Sequence, residues 1–231
     1  MKNSHSAGNA GRLLAAGLRA LLVLTVLCGV LYPLAVTGFA QAAFPSRANG
    51  SEITDAGGRT VGSALVGQRY DLPPAEGRET PAPDLRWFQP RPSRGLTTNS
   101  ANTRHTLLVS GATNRSGDNA ELIRWVTEAK AAVVRDNSTP THRVRPSDVP
   151  PDAVTSSGSG LDPHISPEYA RLQVHRVAER NHLPAREVEA LVAARTEGRV
   201  LGFLGEPRVN VLELNIALRA MTDGGRTPSH P

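Results

Sequence analysis

The longest uninterrupted hydrophobic stretch lies near the N-terminus. Arg19 and Arg47 enclose 27 positions without a charged side chain, and residues 20–44 within them are predominantly apolar. A bilayer core about 30 Å thick is crossed by roughly 20 apolar helical residues. The pattern therefore predicts a transmembrane helix over residues 20–44, in which Pro33 removes one backbone hydrogen-bond donor. Neighbouring helices satisfy such freed carbonyls in membranes, so we expect this helix to have a partner there.

Basic residues set the expected orientation of this helix. Lys2, Arg12 and Arg19 precede it, and no acidic residue does. Lys and Arg next to a span tend to remain in the cytoplasm. We therefore expect a single-pass protein of the cell membrane, with residues 1–19 in the cytoplasm and residues 45–231 as an extracytoplasmic domain.

A cleaved signal peptide is the alternative interpretation of this stretch. Ala40, Gln41 and Ala42 fit the small-x-small pattern of a cleavage site. The apolar stretch is, however, longer than the core of a usual signal peptide, which has about 7–15 residues. The length therefore favours a retained membrane anchor.

Short strand patterns follow the anchor. Gly57 and Gly58 separate two short β-branched segments, which predicts a hairpin. We expect a strand at Thr106–Val109 and a buried strand at Val200–Phe203, which lies between glycines. Trp87–Phe88 stands alone in a stretch rich in Pro, Gly, Ser and Thr, and is expected to anchor that loop on the core.

Helix patterns alternate with these strands without a regular βαβ rhythm. Ser166 is a good N-cap and Pro167 suits the first helical position. Asn210 and Glu213 have the spacing of an N-cap and its reciprocal partner. The predicted helices run from Asp118 or Asn119 to about Val134, over 167–181, from about Ala185 to Thr196, and onward from Asn210. The fold class is therefore a mixed α/β (α+β) domain behind one N-terminal transmembrane helix.

Charge and cysteine content exclude several functional classes. The net charge is +5, but four of the 26 Lys and Arg residues and none of the 21 Asp and Glu residues lie in the first 50 positions. Most of the excess therefore belongs to the membrane anchor, and we expect no nucleic-acid partner. Cys28 is the only cysteine, which rules out an intramolecular disulfide and a cysteine-based zinc site.

The segment 156–166 carries residue types found in catalytic and metal sites. Ser157, Asp162 and His164 are the types of a nucleophilic triad, and a membrane-anchored hydrolase is one alternative function. Such triads are assembled from separated parts of a fold, whereas these three lie within eight residues. Their spacing to His175 and His182 matches no zinc signature. A capped turn before a helix is the favoured interpretation, and we expect no catalytic or metal-binding residue.

Gln173 and Arg176 form a polar pair in the predicted helix 167–181. Residues three apart share a helical face, and these two offer amide hydrogen bonds and a planar cationic fork. We expect them on the surface, where they pack on a neighbour or reach a partner protein.

A simple extracytoplasmic binding module is a further alternative function for the chain.

Two long motifs in the last third resemble a known family. SGSGLDPHISPEYARLQVHRVA at 157–178 and GFLGEPRVNVLELNIAL at 202–218 closely resemble the signature of the C subunit of the Kdp potassium-transporting P-type ATPase. WFQPRPS at 87–93 matches more loosely, and the N-terminal span with its basic residues fits too. The segment 71–86 and the tail after Met221 depart from the family and resemble local insertions.

The resemblance implies an accessory role in ATP-driven potassium import. Its expected partners are a channel-like A subunit, an ATP-hydrolysing P-type ATPase B subunit, a small F peptide and the lipid bilayer. In the family, the C subunit has one span and an extracytoplasmic domain resting on the channel subunit. It is required for assembly and activity and does no chemistry itself.

The resemblance also brings in ATP, because the C subunit is proposed to raise the ATP affinity of the B subunit as a catalytic chaperone. That proposal is tied to Gln173, and we extend it to Arg176. A domain outside the cell would meet little ATP, so such an effect would have to be conformational. The remaining motif residues are expected to shape the structure or an interface: Ser157, Asp162, His164, Ser166, Arg208, Asn210 and Asn215.

Overall fold

The N-terminal unit is helical. The computed structural model describes residues 4–55, 57–73, 81–93, 110–111 and 114–224, and these fall into two compact units, Met1–Ser51 and Glu52–Pro231. In the first unit, helix α1 (Ser4–Val26), a π-helical turn (Leu27–Leu31) and α2 (Tyr32–Ala43) follow one another without a break, and a short α3 (Pro45–Ala48) comes after them. The stretch Gly8–Ala43 is long and apolar enough to cross a membrane.

The π-helical turn ends two residues before Pro33. Proline cannot donate a hydrogen bond to the carbonyl four residues earlier, and its ring collides with that carbonyl in a regular α-helix. Gly29 carries the carbonyl in question, and it lies inside the turn Leu27–Leu31. The wider π spacing accommodates the proline ring while the helix continues to Ala43.

A two-stranded hairpin opens the second unit. Strand β1 (Glu52–Thr54) pairs antiparallel with β2 (Thr60–Ser63), with Glu52 opposite Ser63. Gly58 adopts a φ of +74°, a left-handed conformation that glycine reaches at low cost. The hairpin predicted from the paired glycines is therefore confirmed.

A second, three-stranded sheet brings distant parts of the chain together. Strands β3 (His164–Ile165), β5 (Arg208–Asn210) and β4 (Thr196–Glu197) are antiparallel, with β5 in the middle. Val209 of the central strand is completely buried. This sheet places the start of one helix, at residue 166, beside the start of another, at residue 211.

The buried strand predicted at Val200–Phe203 is wrong. These residues form the tip of the connection between β4 and β5, where the backbones of Val200 and Leu204 hydrogen-bond to each other across a tight turn and no third strand pairs with them among the described residues. Leu201 and Phe203 are 79% and 69% exposed. A short apolar run between glycines has the same pattern whether it is buried or presented to solvent.

Four helices pack around one hydrophobic core in the second unit. They are α4 (Ala120–Asn137), α5 (Pro167–Asn181), α6 (Ala185–Ala194) and α7 (Val211–Gly224). Asn119 caps α4 by accepting hydrogen bonds from the backbone N–H groups of Glu121 and Leu122. The predicted helices are thus confirmed with ends shifted by a few residues, while the strand predicted at Thr106–Val109 lies outside the described residues. The core contains Phe88, Val177, Val188, Val192, Val209, Leu214 and Leu218, none of which is exposed to solvent.

Candidate functional site

A buried polar cluster holds residues 84–89, here termed the strap, against α5 and α7. The strap begins with a local turn in which the Asp84 carboxylate accepts the backbone N–H of Arg86 at 3.1 Å and pairs with the Arg86 guanidinium at 2.7 Å. Burial opposes ionisation of Asp84, but these bonds hold its pKa below the ordinary value. The turn directs Phe88 into the core, where it is fully buried. The prediction that Trp87–Phe88 anchors a loop is confirmed.

Two amide side chains clamp the backbone of the strap. Gln173 on α5 accepts the N–H of Gln89 at 2.7 Å through Oε1 and donates to the Gln89 carbonyl at 3.1 Å through Nε2. Asn215 on α7 does the same for Phe88, with both distances 2.9 Å. An amide offers one acceptor and two donors, so each clamp satisfies both backbone groups of one residue. Both amide side chains are buried.

Arg176 completes the cluster from the next turn of α5. Its guanidinium donates to the carbonyls of Leu85 and Trp87, to Oδ1 of Asn137 at 2.8 Å and to Oε1 of Gln173 at 2.6 Å. These four acceptors are uncharged, and no ion pair among the described residues includes Arg176. Burial lowers the pKa of Arg176 to about 10, so the side chain remains a cation near neutral pH. Carbonyl dipoles replace the water that would otherwise solvate it.

The expectation that Gln173 and Arg176 lie on the surface is therefore wrong. The two residues are 0% and 2% exposed. One signal in the sequence pointed to this burial: Gln173 lies three positions after Ala170 and one before Val174, on the stripe that faces the core. Contact of either side chain with a nucleotide would require the strap to open first. Their nucleotide-related role remains a prediction.

The proposed triad residues build a turn. Oγ of Ser157 accepts the backbone N–H of Gly160 at 3.0 Å, and Oδ1 of Asp162 accepts that of His164 at 3.0 Å. Arg91 pairs with the other oxygen of Asp162 at 3.2 Å. Burial works against ionisation of Asp162, but the hydrogen bonds from His164 and the charge of Arg91 keep its pKa below the ordinary value. The hydrogen bonds found in the described part of the chain do not join Ser157 to His164, so the nucleophile–base pair of a triad is not assembled.

Ser166 fastens the start of α5 to a neighbouring turn. Its Oγ accepts the backbone N–H of Tyr169 at 3.0 Å and donates to Asp152 at 2.9 Å, while its own N–H donates to Asp152 at 2.7 Å. The sequence-based assignment of Ser166 as an N-cap is confirmed. Asp152 adds a negative charge at the positive end of the helix.

We expect Ser166→Ala to lower the free energy of unfolding by about 0.5–2 kcal/mol, the usual cost of losing a cap. The yield of the assembly that the family resemblance implies should fall modestly without being abolished. Ser166→Thr keeps the hydroxyl and serves as the control, because it should recover most of the loss. An unfolding midpoint of Ser166→Ala equal to that of the unmodified chain would contradict this role.

Arg208 and Asn210 lie at opposite ends of β5 and have different surroundings. Oδ1 of Asn210 accepts the backbone N–H groups of Leu212 and Glu213 at 3.1 and 3.2 Å, which confirms it as the cap of α7. Its Nδ2 donates to the carbonyl of Ala64 at 2.9 Å and ties the helix to the segment after the first hairpin. Arg208 is exposed and pairs with Glu197 at 2.9 Å.

The remaining histidines considered for metal binding are used structurally. His182 closes α5 in a left-handed conformation with a φ of +56°. His175 stacks on His142, with the ring centroids 3.9 Å apart. Partial burial and the proximity of His142 lower the pKa of His175, and Glu189 opposes this shift.

The histidine stack predicts a dependence of stability on pH. A base whose pKa is lowered by folding binds protons more readily when unfolded, so stability is present above its unfolded pKa of about 6.5 and is lost as the pH falls below it. We expect the free energy of unfolding to decrease between about pH 7.5 and 5.5. His175→Phe keeps a stacking ring without a titrating proton, so its decrease should be smaller in urea unfolding at the two pH values. An equal decrease in both proteins would contradict the assignment.

Comparisons with known proteins bear on most of the chain. A family profile described as "KdpC: K+-transporting ATPase, c chain" matches residues 14–220. A relative from Streptomyces avermitilis is 68% identical over 218 residues, which cover 94% of this chain and 98% of the relative. Another from Streptomyces coelicolor is 70% identical over 210 residues, covering 91% and 93%. A third, from Geobacter sulfurreducens, is 43% identical over 198 residues, covering 86% and 92%. All three are described as a "Potassium-transporting ATPase KdpC subunit". The resemblance read from the two sequence motifs is confirmed, and the chain belongs to the KdpC family of potassium-transporting ATPase subunits.

Proposed function

We propose that this chain is a non-catalytic accessory subunit of an ATP-driven potassium importer, needed for assembly and activity. Residues 1–19 would lie in the cytoplasm, residues 20–44 would span the membrane and residues 45–231 would form the extracytoplasmic domain. Its partners would be a channel-like A subunit, an ATP-hydrolysing B subunit and a small F peptide. The family membership, with a helix able to span a membrane at Gly8–Ala43, carries this proposal.

The polar residues of the motifs support a structural rather than a catalytic role. The side chains of Gln173, Arg176 and Asn215 are occupied by the strap, and Ser157 and Asp162 are occupied by a turn. A nucleophile or general base needs an accessible atom within reach of a substrate. These contacts favour the accessory subunit over the hydrolase.

An effect of the chain on the ATP affinity of the B subunit would be indirect under this proposal. The pair proposed to contact nucleotide is buried inside the domain, and the proposed topology places the domain across the membrane from cytoplasmic ATP. The domain would then affect ATP binding through the membrane-spanning parts, by stabilising one of two states of the complex that differ in their affinity for ATP. Direct nucleotide binding is the outcome that this arrangement disfavours.

Copurification tests the proposed assembly. The chain is tagged at its C-terminus, membranes from potassium-starved cells are solubilised in mild detergent, and proteins recovered in near-equal amounts are identified. We expect a channel-like subunit and a P-type ATPase. Recovery of the chain alone under several mild detergents would overturn the subunit proposal and leave the hydrolase or binding module.

Thiol labelling in intact cells tests the proposed topology. Cys28 is the only cysteine, so a Cys28→Ser background gives a chain without thiols. A Glu179→Cys variant in that background places one thiol at an exposed position on α5. A membrane-impermeant maleimide should label it without lysis. Labelling only after lysis would place the domain inside the cell and would remove the topological objection to direct ATP contact, while the burial of Gln173 and Arg176 would still stand against it.

A further inference from the structure

The connection between β4 and β5 presents a contiguous apolar surface. Its tip, residues 200–204, carries four large hydrophobic side chains around one glycine. Leu201 and Phe203 are 79% and 69% exposed, and the other two are at least half exposed. The other exposed large hydrophobic residues of the described second unit stand singly in the sequence: Leu65, Leu72 and Ile123. Contiguous exposed apolar residues on a soluble domain mark an interaction surface more often than isolated ones do.

The tip is preformed. Val200 and Leu204 exchange two backbone hydrogen bonds of 2.9 Å, which close the turn at its base. Gly202 has a φ of +81°, and Leu201 has a φ of +54°. A bulky residue rarely adopts this left-handed conformation, because its Cβ crowds the backbone. Strain of this kind persists where the surrounding structure enforces it, and it is concentrated at functional positions. Here it holds the most exposed hydrophobic side chain of the described second unit outward.

Charges near the tip are neutralised within the connection itself. Arg199 pairs with Glu206 at 2.8 Å, and Arg208 pairs with Glu197 at 2.9 Å. Residues 200–205 between these pairs carry no charge. The tip therefore has an apolar centre and a polar, internally paired rim, which is the arrangement of a protein–protein contact. A loop held on an anionic lipid surface would instead carry an excess of unpaired Lys or Arg.

We propose that the tip inserts into an uncharged apolar depression on the extramembrane surface of another subunit of the transporter, with Leu201 and Phe203 as its anchors. This inference rests on the proposed function, because it requires a partner subunit. Membrane anchoring confines both proteins to one surface and raises their effective concentration. A contact made by a few side chains can then contribute decisively to association, because large apolar anchors carry most of the binding energy of an interface.

Photo-crosslinking in membranes that hold the whole complex tests the contact. Benzoylphenylalanine is placed at position 203, where it replaces an aromatic ring by an aromatic ring, and at position 123 of α4 as the exposed apolar control. We expect irradiation to give an adduct with another transporter subunit from position 203 and little or none from position 123. An adduct only with lipid, only with a second copy of the chain, or equal yields from both positions would overturn the inference.

A charge-introducing variant measures how much the contact contributes. Leu201→Glu combined with Phe203→Glu should weaken retention of the partner about 30-fold, the loss typical of removing central anchors. Ile123→Glu, on a different element, should retain the partner as the unmodified chain does. If the unmodified chain copurifies with the transporter and the double variant does so equally well, the inference fails while the proposed function stands. If the unmodified chain recovers no subunit and gives no adduct, the proposed function itself fails.

Discussion

Replacing Arg176 by alanine is expected to lower the free energy of unfolding of the second unit by about 3–5 kcal/mol. The substitution removes the guanidinium donor from three acceptors, the two strap carbonyls and Oδ1 of Asn137. Oε1 of Gln173 also loses a donor but still accepts the backbone N–H of Gln89. Each buried polar group left unsatisfied costs about 1–3 kcal/mol. The sum is reduced because the variant no longer has to bury a cation, a cost visible in the lowered pKa of Arg176. The net effect should still be among the largest of any single substitution in this domain.

The matched control is Arg171→Ala, which removes the same side chain from an exposed position on the same helix. It should change the free energy of unfolding by less than about 0.5 kcal/mol. Arg176→Lys should recover only part of the loss, because one ammonium group cannot reproduce the planar fork that reaches four acceptors. Urea unfolding in detergent, followed by the fluorescence of Trp87 in a Trp125→Phe background, reports on the strap directly. Equal midpoints for Arg176→Ala and Arg171→Ala would contradict the structural role of the guanidinium.

Local features of the second unit were predictable because their determinants are local. Asn119, Ser166 and Asn210 each cap a helix through backbone N–H groups two or three residues away. Short side chains of this kind compete for those N–H groups in any surrounding fold, so the residue type and the following apolar stripe suffice. The turn at Gly58 is a similar case, because a left-handed conformation in a hairpin selects glycine.

The anchoring of the strap by Trp87–Phe88 was predicted, but its polar contacts could not be, because the partners are distant in the sequence and carry no pattern. Gln173 binds a residue 84 positions away, and Asn215 binds one 127 positions away. In both cases the partner is a backbone group, which every residue type possesses. A polar residue in a helix is normally expected at the surface. Burial of Gln173 is predicted only when its position on the apolar stripe of the helix is given more weight than the polarity of its side chain. The burial of Arg176 is a tertiary effect of the same kind.

The tip at residues 200–204 is the reverse case, because its side chains are apolar and yet exposed. Its apolar run predicts burial, and the observed exposure depends on a backbone conformation at Leu201 that intrinsic preference disfavours. Local preference and observed structure disagree at this point of the domain, and such disagreements are expected at functional sites. The residues of the strap and of its clamps thus build the domain, whereas the side chains of the tip are exposed and available to contact a partner.

Phe88→Ala is expected to lower the free energy of unfolding by about 3–5 kcal/mol, as large-to-small substitutions of buried aromatic residues do. The Phe88 side chain is completely buried, and Asn215 fixes its backbone on both sides. This clamp limits how far the strap can move to fill the cavity, so the cost should lie in the upper part of that range. The measurement is the same urea titration in detergent that is used for Arg176.

Phe203→Ala is the matched control, because it makes the same substitution at an exposed position. It should leave the stability of the isolated chain within about 0.5 kcal/mol of the unmodified protein. The order of the two variants should reverse when association with the transporter is measured per folded molecule, so that Phe203→Ala shows the larger loss. Phe88→Ala would then retain the partner once folded, whereas Phe203→Ala would lose part of it. Equal destabilisation by both would mean that the strap is not part of the core, since a side chain already exposed to water has little burial to lose.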